Sequence, residues 1–517
     1  MRLRAALILL IPLSLLLVFG VSRSERITIQ GNNEVRWADG LERLSGRDWK
    51  KRYFENRLNL DLYYQDFRLG TRLTSLQPSE FGEYSESKVL LEKKFLEYSD
   101  PRGIIGFRAG DFYTVWGRGL SLALVEDIYQ GFDSGLEGFL GKANYSGVHA
   151  EALSGRSRAG FLGNVREARV NGVHLEAGLL SGVKLGGQAL LVEPIPDAVS
   201  YKETRDWGGY LAYDGSYLSV WAEHLREYVT GKDDNFEATY LSLSGFFGPL
   251  GISLDYKNYN YYLSSSISQG SGYSQTVNII AYHSPPIVQR EITSNLFGKH
   301  PHVVRYDDEI GVQLELTYSL DALGSAIFAL SQSSVHPNED AWLPTLEEVD
   351  SPYREAFLEF DLYPASAIYL VGWAGYSEEL IYSTIGAQGR DTWQRRNALG
   401  GKVEFPLIPE LMGMIYAEGL YVDDIKREEK YLEALFTTGV IFRSNYNLSL
   451  TLETTGQEDP TEGRDTWINI QGRAFLADRH ELLFTVGQER GGLICTSGKC
   501  RQVFPFNGVK ITLTSLF

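Results

Sequence analysis

Val509-Lys510-Ile511-Thr512-Leu513-Thr514-Ser515-Leu516-Phe517 closes the chain, and its alternation decides the fold class. Val509, Ile511, Leu513 and Phe517 fall on one face of a period-2 strand, with Lys510, Thr512 and Thr514 on the other. The pattern recurs along the chain. Leu58, Leu60, Leu62 and Tyr64 alternate with Asn59, Asp61 and Tyr63, and Val312, Leu314, Leu316 and Tyr318 alternate with Gln313, Glu315 and Thr317. Leu358, Phe360 and Leu362, then Leu448, Leu450 and Leu452, then Ile468 and Ile470 repeat it. One face is apolar and the other polar or charged. A soluble sandwich and a membrane barrel share this periodicity, so alternation gives the fold class, all-β, without choosing between them.

The two ends of the chain make the choice. A terminal strand closed by Phe517 resembles the assembly signal of bacterial outer-membrane β-barrels, although Ser515 stands where that signal usually has an aromatic or aliphatic side chain. That resemblance implies barrel-assembly machinery and outer-membrane lipid as partners. At the other end, Arg2 and Arg4 precede an apolar stretch from Ala5 to Gly20, with small residues at Ser22 and Ser24. Residues 1–24 therefore read as an export signal peptide, with an uncleaved anchor as the alternative. Residues 25–517 read as a single barrel domain. No later apolar run approaches the roughly 20 residues a membrane helix needs. The 53 glycines, 31 tyrosines, 25 phenylalanines and 9 tryptophans suit antiparallel strands with tight turns and aromatic girdles.

Turn signals at Gly46-Arg47-Asp48, Tyr213-Asp214-Gly215-Ser216, Gly231 to Asn235 and Gln457 to Pro460 separate the runs. One strand with its connection per roughly 20 residues predicts a large antiparallel transmembrane barrel of about 20 to 26 strands, even in number. Strands are expected to begin near Arg57, leaving too little chain for a separate N-terminal plug domain. The segment 284–306 breaks the alternation. Its prolines forbid a central strand, and Gln289 to Phe297 has the composition of a short helix, so it is either a long surface loop or an element folded into the lumen.

The formal charge of -17 becomes -20 when Arg2, Arg4 and Arg23 leave with the leader. Nucleic acid, which needs a basic face, is excluded. The only cysteines, Cys495 and Cys500, flank a Ser-Gly turn and read as a local disulfide pinning a hairpin tip; a zinc pair is the weaker reading because no His or further Cys lies near.

Gly110-Asp111-Phe112-Tyr113, then Trp116-Gly117-Arg118-Gly119-Leu120, then Glu126-Asp127 to Phe132-Asp133, resembles a motif of an uncharacterised family of outer-membrane proteins from Bacteroidetes-type bacteria. The Pro285-Pro286 to His302 segment and the Cys495 to Cys500 hairpin with Arg501 resemble the same family. The resemblance implies a barrel and no particular activity. Physically, closely spaced glycines at 106, 110, 117 and 119 suggest bends in a strand, and Asp111, Arg118, Glu126, Asp127 and Asp133 supply opposite charges. The motif is either a constriction or binding patch on the lumen wall, or an internal network bracing a wide barrel. Gly117-x-Gly119 lacks the spacing of a dinucleotide loop, and no cofactor is expected. Asp233-Asp234, Asp307-Asp308 and Asp423-Asp424 sit in turn-like stretches, His300-Pro301-His302 shows no third metal ligand, and no serine occupies a G-x-S-x-G elbow, so an enzyme is not expected. Three roles remain: a porin-like conduit for small polar solutes, a surface barrel that binds glycans or aids envelope assembly, and, last, a rim hydrolase.

Overall fold

A computed structural model describes residues 27–44, 47–80, 87–157, 168–194, 202–232, 236–262, 276–277, 282–338, 340–365, 367–381, 392–425, 427–457, 463–477, 479–496 and 499–517. The expected leader lies outside them. Twenty-four antiparallel strands form one sheet. The final strand, Phe506–Leu516, pairs with His480–Glu489 on one side and with the first strand, Thr28–Leu44, on the other, which closes the ring. Leu513 lies opposite Val35, and Ile511 lies between Trp37 and Phe484. Phe517 continues the closure: its N–H donates to the Gly31 carbonyl at 3.0 Å, and the Gly31 N–H donates to the Phe517 carbonyl at 2.9 Å. Closure satisfies the backbone and leaves no edge for another chain to extend.

The alternation assigns the two faces. Leu450, Ile470, Val486 and Ile511 stand exposed on the outside, forming part of an apolar belt that a monomer in water would not tolerate at this size. Their neighbours along the same strands point inward. Gln313, Glu359 and Glu453 are all buried inside the ring. Apart from three 3-10 turns there is no helix among the described residues, and none is long and apolar enough to cross a membrane.

The two ends of the barrel differ. At one end, adjacent strands are joined by tight turns such as Ser146-Gly147 and Gly248-Pro249, with Ser146, Gly147 and Gly248 all at positive φ. The expected turn at Gly215 is of this kind, closed by the Gly215 N–H donating to the Leu218 carbonyl at 2.9 Å. At the other end, the described stretches of the longer connections include 113–135, 282–308, 340–352 and 499–505. Outer-membrane barrels divide their short turns and long loops between their two ends in the same way.

Three expectations change. The first strand begins at Thr28, well before Arg57, because Arg36, Ala38 and their neighbours pair with both Arg47–Tyr64 and the last strand. The glycine-rich motif is not one strand: the wall strand Ile105–Phe112 ends at Phe112, and residues 113–135 turn inward as two small ladders, Val115–Trp116 with Leu122–Ala123 and Glu126–Asp127 with Phe132–Asp133. The segment 284–306 folds into the lumen, but Gln289 to Phe297 is not a helix, and only Phe297–Lys299 makes a 3-10 turn. The N–H groups that a helix would pair internally go to a wall carboxylate instead, as described next.

Candidate functional site: the occupied lumen

Two inward segments lie inside the ring, residues 113–135 and 282–308. The second behaves as a strap across the inner wall. Arg290 donates to Glu315 at 2.8 Å and to Glu359 at 3.2 Å, and Thr293 also donates to Glu359. Glu418 accepts the backbone N–H groups of Asn295 at 3.0 Å, Leu296 at 3.1 Å and Phe297 at 3.3 Å, together with the Ser294 hydroxyl. Lys299 reaches both oxygens of Glu453 at 2.6 Å. The strap then returns. The Arg396 guanidinium donates to the His300 carbonyl at 3.1 Å, and His302 sits between Glu379 at 3.0 Å and Glu309 at 3.2 Å. Its wall partners run from the strand Leu250–Asn260, where Lys257 and Tyr259 donate to the Ile287 and Pro286 carbonyls at 2.6 and 2.8 Å, to the strand Tyr446–Thr455, so side chains of the inner wall, glutamates above all, hold one non-repeating segment.

The polar contacts frame apolar ones. Leu296 and Phe297 are buried against Phe357, Trp373, Tyr416 and Leu420 of the wall. Burial would lower the His302 pKa, but the carboxylates of Glu309 and Glu379 outweigh it and raise the value to about 9, so the imidazole is cationic near neutral pH. His283 is the opposite case: burial pushes it down to about 4, and its Nδ1–H donates to the Leu120 carbonyl at 2.7 Å.

The first segment holds most of the residues the sequence singled out. Phe112 and Trp116 are fully buried in a cluster with Leu136, Val170 and Tyr282. The Trp116 indole N–H donates to Glu151 at 3.0 Å while its ring stacks on His174, centroids 5.6 Å apart. Gly117, at φ 57°, passes so close to the wall that a Cβ would lie 2.5 Å from the Glu223 carboxylate, and Gly119, at φ 87°, passes the Ser284 carbonyl of the strap. Glu223 accepts the Arg118 N–H at 2.8 Å, and the Arg118 guanidinium lies 5.0 Å from the Trp221 ring. Asp127 closes its own turn by accepting the N–H groups of Tyr129 and Gln130, both at 3.0 Å. Asp133 accepts the Tyr113 hydroxyl at 3.1 Å and the Gly135 N–H at 2.8 Å, and pairs with Lys93. Gly110 and Asp111 remain in the wall: at Gly110 (φ 106°) a Cβ would strike the Lys94 carbonyl, and Asp111 accepts the Lys94 N–H at 2.6 Å. Asp111 and Arg118, grouped by sequence, thus serve different layers, the wall and the inward segment.

The two segments are tied to each other. The Ala123 N–H donates to the Tyr282 carbonyl at 2.7 Å, and the Ser284 N–H donates to the Gly119 carbonyl at 3.0 Å. At the mouth, the hairpin Gly492–Thr496 with Lys499–Val503 places Cys495 opposite Cys500 in register, with both cysteine side chains outside the described residues. Arg501 of this hairpin donates to the Tyr129 carbonyl at 2.9 Å and pairs with Glu80 at 3.1 Å. Alternation alone put Glu359 and Glu453 on the polar face of their strands, turned toward the lumen; sequence reasoning did not single out Glu309, Glu379, Glu418 and Glu433, and it gave none of the six its role of holding the strap. His300 and His302 are engaged by Glu433 and Glu379. No group of His, Cys, Asp and Glu among the described residues has the arrangement of a metal site.

Residues 4–194, a little over a third of the chain, match a family of unknown function (DUF6029). The strap and the cysteine hairpin lie outside that match. No curated protein matches the chain. Among solved structures, a chain of the E. coli P pilus tip assembly intermediate PapC-PapD-PapK-PapG aligns with TM-score 0.52 at 12% identity over 96% of this chain and 62% of that one. The P pilus usher (PapC) translocation pore aligns with TM-score 0.47 at 11% identity, over 94% of this chain and 99% of that chain. The siderophore receptor PirA from Pseudomonas aeruginosa gives TM-score 0.43 at 9% identity, over 96% and 81%. At such identities the likeness is one of fold, that of outer-membrane β-barrels.

Proposed function

We propose that the protein resides in the outer membrane and conducts small polar solutes through a lumen narrowed by its two inward segments. The observation that carries this reading is the carboxylate-lined inner wall gripping a strap by hydrogen bonds within a wide ring. Strands ~4.8 Å apart and tilted ~40° give 24 of them a radius of roughly 24 Å, far more than one layer of side chains fills. Barrels of 16 to 18 strands already enclose water, so a ring of this size needs internal elements to restrict passage. A wall rich in Glu favours cations. Within this reading no catalytic group is required, Phe517 serves assembly, and Cys495 and Cys500 are bridged at the mouth.

The test is solute flux into proteoliposomes holding the full chain, with reversal potentials across a salt gradient in planar bilayers. Cation-selective flux is expected, and vesicles as tight as protein-free controls overturn the conduit. A second reading, surface glycan binding, draws on the hairpin that Arg501 anchors over the mouth. Impermeable vesicles that retain a polysaccharide would favour it.

A further inference from the structure

The connection from His336 to Asp350 does not turn inward like the two segments above. It folds down the outside of the barrel. Its wall contacts identify the face. The Ser334 hydroxyl accepts the Thr345 N–H at 3.1 Å, and Gln332 donates to the carbonyls of Pro344 at 3.3 Å and Thr345 at 3.4 Å. Gln332 and Ser334 share strand parity with Phe328 and Leu330, both exposed in the outer apolar belt, whereas Ser331 and Ser333 on the opposite parity are buried inside. The register agrees, since Gln332 lies opposite Val312 and Arg354 on the neighbouring strands, and Ser334 lies opposite Ile310. His336 continues the contact by accepting or donating with Asn258 at 3.1 Å on the same outer face.

Laid against the wall in this way, the connection turns Trp342, Leu343, Leu346 and Val349 away from the protein, with exposures of 70%, 69%, 57% and 79%. Four large apolar side chains within eight positions are a costly surface to leave in water. Their height argues for what covers them. Gln332 and Ser334 lie two and four residues above Leu330, ~7–13 Å along a strand at ~3.3 Å per residue and less along the membrane normal once tilt is allowed for. The patch is thus continuous with the lipid-facing belt at its edge beside the long connections, the level at which Trp is favoured because its ring is apolar and its N–H seeks water. Pro344, whose carbonyl accepts from Gln332, leaves no N–H to satisfy where the connection lies against the wall.

We infer that residues 341–349 form an interfacial anchor whose Trp342, Leu343, Leu346 and Val349 insert among the lipids at the boundary of headgroups and acyl chains. The anchor fixes the height and tilt of the barrel on one side, beside the strands that carry the first wall partners of the strap.

The test uses the full chain with a nitroxide attached at Leu346→Cys or Val349→Cys, and at Asn338→Cys on the same connection as the water reference, in phosphatidylcholine vesicles. The unsubstituted protein supplies the background from Cys495 and Cys500, and heat-modifiable migration confirms that each variant is folded. Power saturation should show the 346 and 349 labels accessible to oxygen and at least fivefold less accessible to a water-soluble nickel chelate than the 338 label. Nickel accessibility equal to that of the 338 label overturns the anchor. Spin–spin broadening at 346 that vanishes on dilution with unlabelled protein also overturns it, because the patch would then be covered by a second copy of the chain.

Discussion

The wall and the strap are held in place by opposite means. A residue in the wall is fixed by its period: Ile511 faces lipid because it alternates with Thr512 and pairs with Trp37 and Phe484, and each of its neighbours repeats the arrangement. A residue in the strap is fixed by a named partner. Asn295, Leu296 and Phe297 lie where they do because Glu418 accepts their N–H groups, and the next carboxylate to grip the strap holds a different donor, Lys299 on Glu453. The wall's stability is therefore distributed over a repeated ladder, whereas the strap's rests on a few charge-assisted bonds and the packing of Leu296 and Phe297 between them. Such bonds are strong when complete and costly when one partner is lost.

The largest effect should come from attacking the wall. Ile511→Arg places a charge at the centre of the closing strand on the lipid side, a substitution that costs about 2–4 kcal/mol near the bilayer midplane. Loss of the heat-modifiable folded band is expected. A fully folded variant would show that the final strand is not membrane-embedded.

Glu418→Ala comes next. It leaves the Leu296 N–H without its acceptor and the Ser294 and Tyr416 hydroxyls without their carboxylate, while the Asn295 and Phe297 N–H groups keep the Tyr416 and Ser294 hydroxyls, both at 3.1 Å. Each group left buried and unpaired costs about 1–3 kcal/mol, so the strap should leave its site rather than bear that cost. Trypsin cleavage after Arg290 or Lys299 should quicken at least tenfold in micelles while the barrel keeps its folded migration. Unchanged cleavage would mean that apolar packing of Leu296 and Phe297 suffices.

The strap should also be docked best within a pH window. His302, raised to about 9, binds a proton more tightly in place than when released, so its contribution is full below about 6.5 and is lost as pH rises through 9. His283, lowered to about 4, is held neutral, so the strap weakens as pH falls from 6.5 toward 4. The protease sensitivity of the strap should be lowest near pH 6.5, and His302→Gln should abolish the alkaline branch alone. A flat profile from pH 5 to 9 would remove both histidines from the account.

The smallest effect is expected at the mouth. Replacing both Cys495 and Cys500 by Ser should lower global stability by well under 2 kcal/mol, since the loop they close spans only a few residues. Thiol labelling before and after reduction checks the bridge itself. Labelling without reductant would show free thiols.

Periodicity made the wall legible. The runs at Leu58 to Tyr64 and Val312 to Tyr318 are wall strands with the expected face outward, and the turn at Gly215 lies where its residues suggested. The start near Arg57 was wrong because the first strand, Thr28–Leu44, carries Gly31, Asp39, Gly40 and several charges that blur the alternation, and only its two partners reveal it. The prolines at 285, 286 and 301 announced that 284–306 leaves the sheet, but the direction it takes depends on carboxylates over a hundred residues away, which no local pattern connects. For the same reason Asp111 and Arg118, seven residues apart, read as one motif although they serve two layers.

The central claim, a wide ring restricted by a releasable strap, is tested most directly by single-channel conductance in planar bilayers, comparing the full chain with Glu418→Ala at pH 6.5. The account predicts a several-fold larger conductance for the variant with cation preference retained. Equal conductance in the two proteins, with the strap of the variant shown by proteolysis to be released, would contradict it.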